Sequence, residues 1–126
     1  NTVGDYQMFA NERDNKNYDI FVGGWFSDYN DPLDFLNVMK TGVYDSYGLY
    51  SNSEYDSLID SLTGENDNAK RLEIYQKLED LLVAQDCGVA PLYYSDKHYY
   101  YQNWVKDFYT SSFGASQELY RASVQK

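Results

Sequence analysis

The segment Tyr18–Trp25, with the sequence YDIFVGGW, restricts the fold more than any other part of the chain. Its residues favour β-structure, and the run lacks the alternation that a half-exposed strand would have. Continuous runs of this kind are typical of strands that are buried on both faces, as in parallel sheets. A short helix is predicted before it, over residues 4–14, because the apolar residues there have helical spacing. The order helix then strand predicts an α/β architecture.

The residues after this run predict a helix that begins at Pro32. Proline suits the first position of a helix because it lacks an N–H that would have no partner there. Asp31 is placed to cap this helix, and Asp34 adds a negative charge near its positive end. Gly42 is expected to end the helix, and a tyrosine-rich loop follows over residues 42–52.

Two amphipathic helices are predicted in the middle of the chain. The first has Ser53 as its N-cap. Its apolar face carries Tyr55, Leu58, Ile59 and Leu62. The second spans residues 69–86 and ends before Gly88. Either Asp67 or Asn68 is expected to cap it. Its apolar face carries Ala69, Leu72, Tyr75, Leu78 and Leu82.

The last third of the chain predicts strands. Residues 89–94 (VAPLYY) favour β-structure, but Pro91 restricts them to a sheet edge or to the start of a strand. The aromatic run 97–105 predicts a strand and a turn. Residues 106–118 are expected to form a loop, and residues 119–124 a last short strand.

Charge and composition exclude several classes of function. Twenty acidic and ten basic residues give a net charge of −10, so the chain would repel a nucleic-acid backbone. The single cysteine, Cys87, can form neither a disulfide within the chain nor a multi-cysteine metal site. The aromatic content, with 15 tyrosines, argues against disorder and suggests half-buried rings at a cleft or an interface.

Catalytic and metal sites have weak support in the sequence. His98 is the single histidine, and a cysteine at a helix C-terminus, as expected for Cys87, does not favour a reactive thiolate. Asp28, Asp31 and Asp34 resemble part of a calcium loop, but the glycine that such a loop needs is missing. We therefore predict no enzymatic activity, no cofactor and no metal.

The position of Asp28 suggests a role in binding. It follows the predicted buried strand, and ligands of α/β proteins bind beyond the carboxyl ends of the strands. Gly23 and Gly24 would let the backbone of a ligand approach closely, while Trp25 and Phe26 would form apolar walls. The charge of Asp28 would suit an ammonium group. From spacing alone, the capping of a local turn explains Asp28 equally well.

Five short motifs occur in a fixed order along the chain. They are WFSDYNDPLDFLN at 25–37, NSEYDSLID at 52–60, KRLEIYQKLEDLL at 70–82, VAPLYY at 89–94 and NWVKDF at 103–108. Their order and spacing resemble the oligopeptide-binding proteins of ABC importers, solute-binding protein family 5. The resemblance covers nearly the whole chain and is to the C-terminal part of such a protein.

The resemblance implies a fold and a division of the chain. Family members are several-fold longer and have two lobes that close on a peptide, in the type II periplasmic-binding-protein fold. By this resemblance the chain has helices packed on a mixed sheet, and residues 1–90 form the C-terminal part of the second lobe. Residues 91–126 then cross over and return to the first lobe. Such a fragment is expected to expose a tyrosine-rich face and unpaired strand edges, and to self-associate.

The resemblance also assigns residues to the ligand. The predicted ligand-binding residues are Gly24, Trp25, Phe26, Asp28, Tyr93 and Tyr94. Asp28 matches the acid that pairs with the α-amino group of the peptide. Residues 24–26 match the stretch whose backbone pairs with the peptide as an added strand. Phe26 stands where the family often has a small residue or cysteine, and Tyr93 or Tyr94 matches a tyrosine of the cleft.

The implied partners are a peptide ligand, the membrane subunits of an ABC permease and the remainder of the same protein, with no nucleic acid. The implied location is the extracellular face of the cell membrane or the periplasm, with a lipid anchor on an N-terminal cysteine that is absent here. The alternative is an independent, aromatic-rich extracellular module that binds carbohydrate or another protein, because exposed aromatic rings can stack on sugars.

Overall fold

A computed structural model describes residues 6–43, 49–113 and 119–125 of the chain. The predicted helix start at residues 4–5 and parts of the two predicted loops, residues 44–48 and 114–118, lie outside the described residues.

The chain divides into two compact units. The first comprises the residues up to Trp25 together with Asp31–Pro91. The second comprises Phe26–Asn30 and the residues from Leu92 onward. The predicted assignment of residues 1–90 and 91–126 to two lobes stays a prediction.

The first unit is built from helices. They are α1 (Tyr6–Asp14), α2 (Leu33–Leu36), α3 (Ser53–Ser61) and α4 (Asn68–Glu79). A 3₁₀ turn, Asn37–Met39, extends α2, and a π-helical turn, Asp80–Gln85, extends α4. The four predicted helices are confirmed within the described residues, and none of these helices is long and apolar enough to cross a membrane.

Helices α2, α3 and α4, together with the π-helical turn after α4, enclose one apolar cluster. Its buried members are Leu36, Tyr55, Ile59, Leu62, Leu78, Leu81 and Leu82. The predicted face of α3 is therefore confirmed. Tyr55 is completely buried, and its hydroxyl donates a hydrogen bond of 2.8 Å to the carbonyl oxygen of Leu36. This bond satisfies two polar groups inside the cluster, as buried polar groups require.

The apolar face of α4 differs in part from the prediction. Leu78 and Leu82 are buried and Tyr75 packs against the cluster, whereas Ala69 and Leu72 are exposed. The predicted face followed steps of three residues, and each such step drifts by roughly 60° around an α-helix of 3.6 residues per turn. Residues at the start of the series therefore point away from those at its end.

The helix caps agree with the prediction for α4 and differ by one residue for α3. Asp67 caps α4 by accepting a hydrogen bond of 2.9 Å from the backbone N–H of Ala69. Asn52, rather than Ser53, caps α3, and its Oδ1 accepts from two backbone N–H groups of the first turn. The predicted Ser53 cap is wrong because that residue already lies inside the helix.

The end of the π-helical turn depends on two neighbouring residues. Cys87 adopts a positive φ of 51°, and Gly88 donates its N–H to the carbonyl oxygen of Leu82 at 2.8 Å. A Cβ atom on Gly88 would lie 2.6 Å from the ring of Tyr50. Gly88 is therefore required by close packing.

The second unit contains one short sheet in its described part. Strands β1 (Val105–Lys106) and β2 (Ser123–Val124) pair in antiparallel register, with Val105 opposite Val124. β2 confirms the strand predicted within residues 119–124. β1 begins at the last residue of the run 97–105, and the preceding residues of that run form no strand, so that prediction holds only at its end.

The strands predicted at Tyr18–Trp25 and at residues 89–94 are wrong. Neither segment pairs with any described part of the chain, and both are irregular. A strand buried on both faces needs neighbours beside it and layers above and below it. Without these, Ile20 and Tyr94 are 85% and 99% exposed. The described residues contain no mixed sheet, since their one sheet is the antiparallel pair of β1 and β2.

Candidate functional site

The six predicted ligand-binding residues lie in two irregular segments. Gly24, Trp25, Phe26 and Asp28 belong to the loop between α1 and α2, and Tyr93 and Tyr94 follow the end of α4. Gly24 and Trp25 are part of the helical unit, and the other four residues are part of the second unit.

Trp25 is attached to the beginning of α2. Its indole N–H donates a hydrogen bond of 3.2 Å to Oδ2 of Asp34, a side chain that is only 8% exposed. Asp34 also occupies the predicted position in the first turn of α2. A Cβ atom on the preceding Gly24 would meet no atom within 4 Å. The predicted ligand-binding stretch 24–26 thus begins at a glycine with free space beside it. The next residue, Trp25, is held by a hydrogen bond to Asp34.

Asp31 supports the start of α2 and makes further contacts that the sequence interpretation missed. Its Oδ1 accepts a hydrogen bond of 2.9 Å from the N–H of Leu33, which agrees with the predicted capping role, although Pro32 occupies the cap position itself. The same carboxylate accepts from Nη2 of Arg71 and from the hydroxyl of Tyr75, each at 2.6 Å. We call Asp31, Arg71 and Tyr75 the anchor cluster.

Arg71 connects the anchor cluster to the turn between α3 and α4. Its Nη1 donates to the carbonyl oxygens of Leu62 and Glu65, at 3.4 and 3.2 Å, and its Nη2 also donates to the hydroxyl of Tyr75. The side chains of Arg71 and Asp31 are 19% and 30% exposed. The ion pair is therefore partly shielded from water, which strengthens it relative to a surface pair.

The anchor cluster shifts the ionisation of its members. Partial burial alone would raise the pKa of Asp31, but hydrogen bonds from Tyr75 and the Leu33 backbone and the charge of Arg71 lower it below its usual value. Partial burial and the hydrogen bond to Asp31 raise the pKa of Tyr75 to about 12. Asp31 is thus held as a carboxylate and Tyr75 as a neutral donor.

The loop Phe26–Asn30 lies between these two attachments and carries Asp28. Trp25 precedes it and is bonded to Asp34, while Asp31 follows it and belongs to the anchor cluster. Asp28 itself is exposed. The residues that flank the loop on both sides therefore make side-chain bonds within the helical unit.

Within the second unit, the exposed large hydrophobic side chains are mostly aromatic. The ring of Phe26 lies beneath the ammonium group of Lys97, with 4.7 Å between Nζ and the ring centroid, a cation–π contact. The exposed large residues that follow α4 include Leu92, Tyr93, Tyr94, Tyr100 and Tyr101. Several tyrosines of this part of the chain are therefore exposed, and their grouping on one face stays a prediction. Which of Tyr93 and Tyr94 corresponds to the cleft tyrosine of the family stays a prediction.

A second polar cluster joins the start of α3 to the residue that follows the π-helical turn at the end of α4. The carboxylate of Asp86 accepts hydrogen bonds of 2.7 Å from the hydroxyl of Tyr50 and from Nδ2 of Asn52. These bonds lower the pKa of Asp86. Partial burial and the bond to Asp86 raise the pKa of Tyr50. Since Asn52 also caps α3, this cluster is a structural one.

Other chemical groups are dispersed in the described part of the chain. The residues that the structure describes contain no cluster of three or more His, Cys, Asp or Glu side chains placed to hold a metal ion. Cys87 and His98 are both exposed. The second unit has a shallow cleft of about 230 Å³ lined by Asp107, Tyr109, Tyr120 and Arg121.

Comparison with known proteins identifies homologues of this chain. No family model matches the chain. It is 30% identical over 101 residues to the periplasmic oligopeptide-binding protein OppA of Salmonella typhimurium, which covers 80% of this chain and 18% of OppA. It is also 30% identical over 105 residues to the oligopeptide-binding protein OppA of Bacillus subtilis, covering 82% and 18% of the two chains. The homologues of this chain are oligopeptide-binding proteins.

A solved structure agrees with these homologues. The pheromone receptor PrgZ, whose structure and mode of peptide binding are known, matches with a TM-score of 0.79 and 27% identity. The match covers 99% of this chain and 24% of PrgZ. The predicted α/β solute-binding-protein fold is thereby confirmed. These relatives are named as binding or receptor proteins rather than as enzymes, and this chain spans only 18% of the length of the OppA proteins.

Proposed function

We propose that this chain is part of an extracytoplasmic solute-binding protein that captures peptides for an ABC importer. The observation that carries the proposal is the similarity to two oligopeptide-binding proteins and to a peptide-binding receptor over 80% or more of the chain. The remainder of the protein, the permease subunits and a lipid anchor on an N-terminal cysteine belong to the same proposal. The location would be the periplasm or the outer face of the membrane.

In this proposal the peptide binds as an added strand along residues 24–26. Hydrogen bonds between main chains do not depend on the peptide's side chains, so they would give affinity for many sequences. Two features support this placement. Gly24 leaves open space where a side chain would otherwise stand, and the loop lies outside the helices and strands of the described residues.

Asp28 would pair with the α-amino group of the peptide and so set its register. Asp28 is exposed. The residues that flank its loop, Trp25 and Asp31, are each hydrogen-bonded to another side chain. Closure of a second lobe would exclude water from such a pair and strengthen it. Truncation of one partner in a buried, hydrogen-bonded charge pair costs about 2–5 kcal/mol.

Phe26, Tyr93 and Tyr94 would border the space for the peptide's side chains. Their side chains are exposed, as expected for residues that contact a ligand only when it is bound. Pockets that keep bridging water around a ligand side chain tolerate many residue types. We therefore expect broad selectivity among peptides.

Isothermal calorimetry of the complete binding protein tests the proposal. The titrants are short peptides with free amino termini and, for the alternative function, oligosaccharides of similar size. The proposal expects saturable binding of peptides and none of the sugars. Binding of oligosaccharides without binding of peptides would support the carbohydrate-binding module and reject the proposal.

A further inference from the structure

Asp34 is unusual among the acidic residues of this chain. Among the residues whose burial the structure describes, which are 8, 10–43, 49–113 and 119–125, it is the only charged residue that is buried. Removing a carboxylate from water is costly unless hydrogen bonds compensate for the lost hydration. One partner that comes from outside its own helix is the indole N–H of Trp25, nine residues earlier.

Trp25 is the first residue after Gly23 and Gly24, and glycine restricts the backbone less than any other residue. The segment from Tyr18 to Asn30 contains no helix or strand. The bond to Asp34 therefore attaches an irregular, glycine-containing segment to a helix at the residue where the predicted peptide contact lies.

The Asp34–Trp25 pair does not belong to the apolar cluster of the helical unit. Trp25 is half-buried, and its indole N–H is directed at one carboxylate oxygen. An apolar contact would keep the ring buried in many orientations, whereas a hydrogen bond selects one orientation. The pair is therefore better suited to fixing geometry than to holding the core together.

We infer that Asp34 is a positioning residue of the binding site. Its carboxylate holds the indole of Trp25 and thereby fixes the backbone of Gly24 and Trp25 against α2. It thus holds the residue that precedes the loop with Asp28, while the anchor cluster holds Asp31, the residue that follows that loop. This inference rests on the proposed function for the role of residues 24–26 and Asp28.

The test uses the complete binding protein with Asp34→Ala, which removes the acceptor, and Asp34→Asn, which retains an acceptor oxygen at the same place. Trp25→Phe removes the donor. We expect Asp34→Ala to weaken peptide binding about tenfold, the factor that corresponds to 1.4 kcal/mol. Asp34→Asn is expected to restore most of the affinity. The double variant Asp34→Ala with Trp25→Phe should bind no more weakly than the weaker single variant, because both remove one interaction.

Asp86→Ala is the matched control. It removes an acidic acceptor of two side-chain hydrogen bonds from the same unit but leaves Trp25 untouched. It should lower the melting temperature without lowering peptide affinity. If affinity falls in all variants in proportion to their melting temperatures, Asp34 acts on stability alone and the inference is overturned.

A second readout is independent of peptide binding. The indole N–H resonance of Trp25, assigned by its loss in Trp25→Phe, should move in Asp34→Ala towards the position of a solvent-exposed indole. An unchanged resonance would overturn the inference. A wild-type protein that binds no peptide would reject the proposed function, and the resonance would still decide whether Asp34 holds Trp25.

Discussion

Replacement of Arg71 by alanine should destabilise the helical unit far more than replacement of its neighbour Lys70. Arg71 donates hydrogen bonds to Asp31, to Tyr75 and to two backbone carbonyls, and its side chain is 19% exposed. Lys70 is 65% exposed and lies 3.8 Å from Glu65. Both residues lie in α4, and lysine and arginine have similar helix propensities, so the local cost of alanine is similar.

The magnitude follows from the shielding of the pair. Breaking a fully buried ion pair costs about 3–5 kcal/mol, whereas exposed pairs contribute about 0–1 kcal/mol. With one partner 19% and the other 30% exposed, an intermediate loss of about 2 kcal/mol is expected. At an unfolding entropy of about 2.1 cal/mol/K per residue, that loss lowers the melting temperature of a chain of this length by roughly 8 °C.

Thermal unfolding followed by helical circular dichroism measures this difference. Lys70→Ala should change the free energy of unfolding by less than about 0.5 kcal/mol. Asp31→Asn added to Arg71→Ala should recover part of the loss, since it removes a carboxylate that no longer has its cation. Equal melting temperatures for Arg71→Ala and Lys70→Ala would refute the role assigned to the anchor cluster.

Four further variants test the packing and the ionisation of the first unit. Gly88→Ala should cost about 1–3 kcal/mol of stability because its Cβ would lie 2.6 Å from the Tyr50 ring, whereas Gly24→Ala, with open space around it, should leave the melting temperature unchanged. Tyr55→Phe should cost about 1 kcal/mol in urea unfolding, since it removes a buried hydrogen bond. The pKa of Tyr75 is raised from 10.0 to about 12, so its contribution is complete below pH 10 and is lost as the pH rises towards 12. Alkaline titration of stability should lose this step in Tyr75→Phe, and an identical profile would contradict the assignment.

The helices could be predicted because their signals are local. Tyr55, Ile59 and Leu62 repeat with the period of an α-helix, and they lie in the core as expected. The face of α4 was predicted less well because steps of three residues drift around the helix, which leaves Leu72 exposed. The cap of α3 was misplaced by one residue, since asparagine and serine stand side by side and both can cap.

The strands and the polar clusters could not be predicted in the same way. A strand is defined by its neighbours, and the apolar run Tyr18–Trp25 finds none in the described residues. The bond between Asp31 and Arg71 joins residues 40 positions apart, and no periodic pattern predicts such a pair. Asp28 was selected by resemblance to a family, because from spacing alone a turn-capping role was equally good.

The affinity of the complete protein for one peptide, with a free and with an acetylated amino terminus, tests the central claim most directly. The comparison is made by calorimetry for the wild type and for Asp28→Asn. If Asp28 pairs with the α-amino group, acetylation should weaken binding to the wild type by about tenfold or more, and it should have little further effect in Asp28→Asn. Equal binding of the free and acetylated peptides by the wild type would contradict the claim.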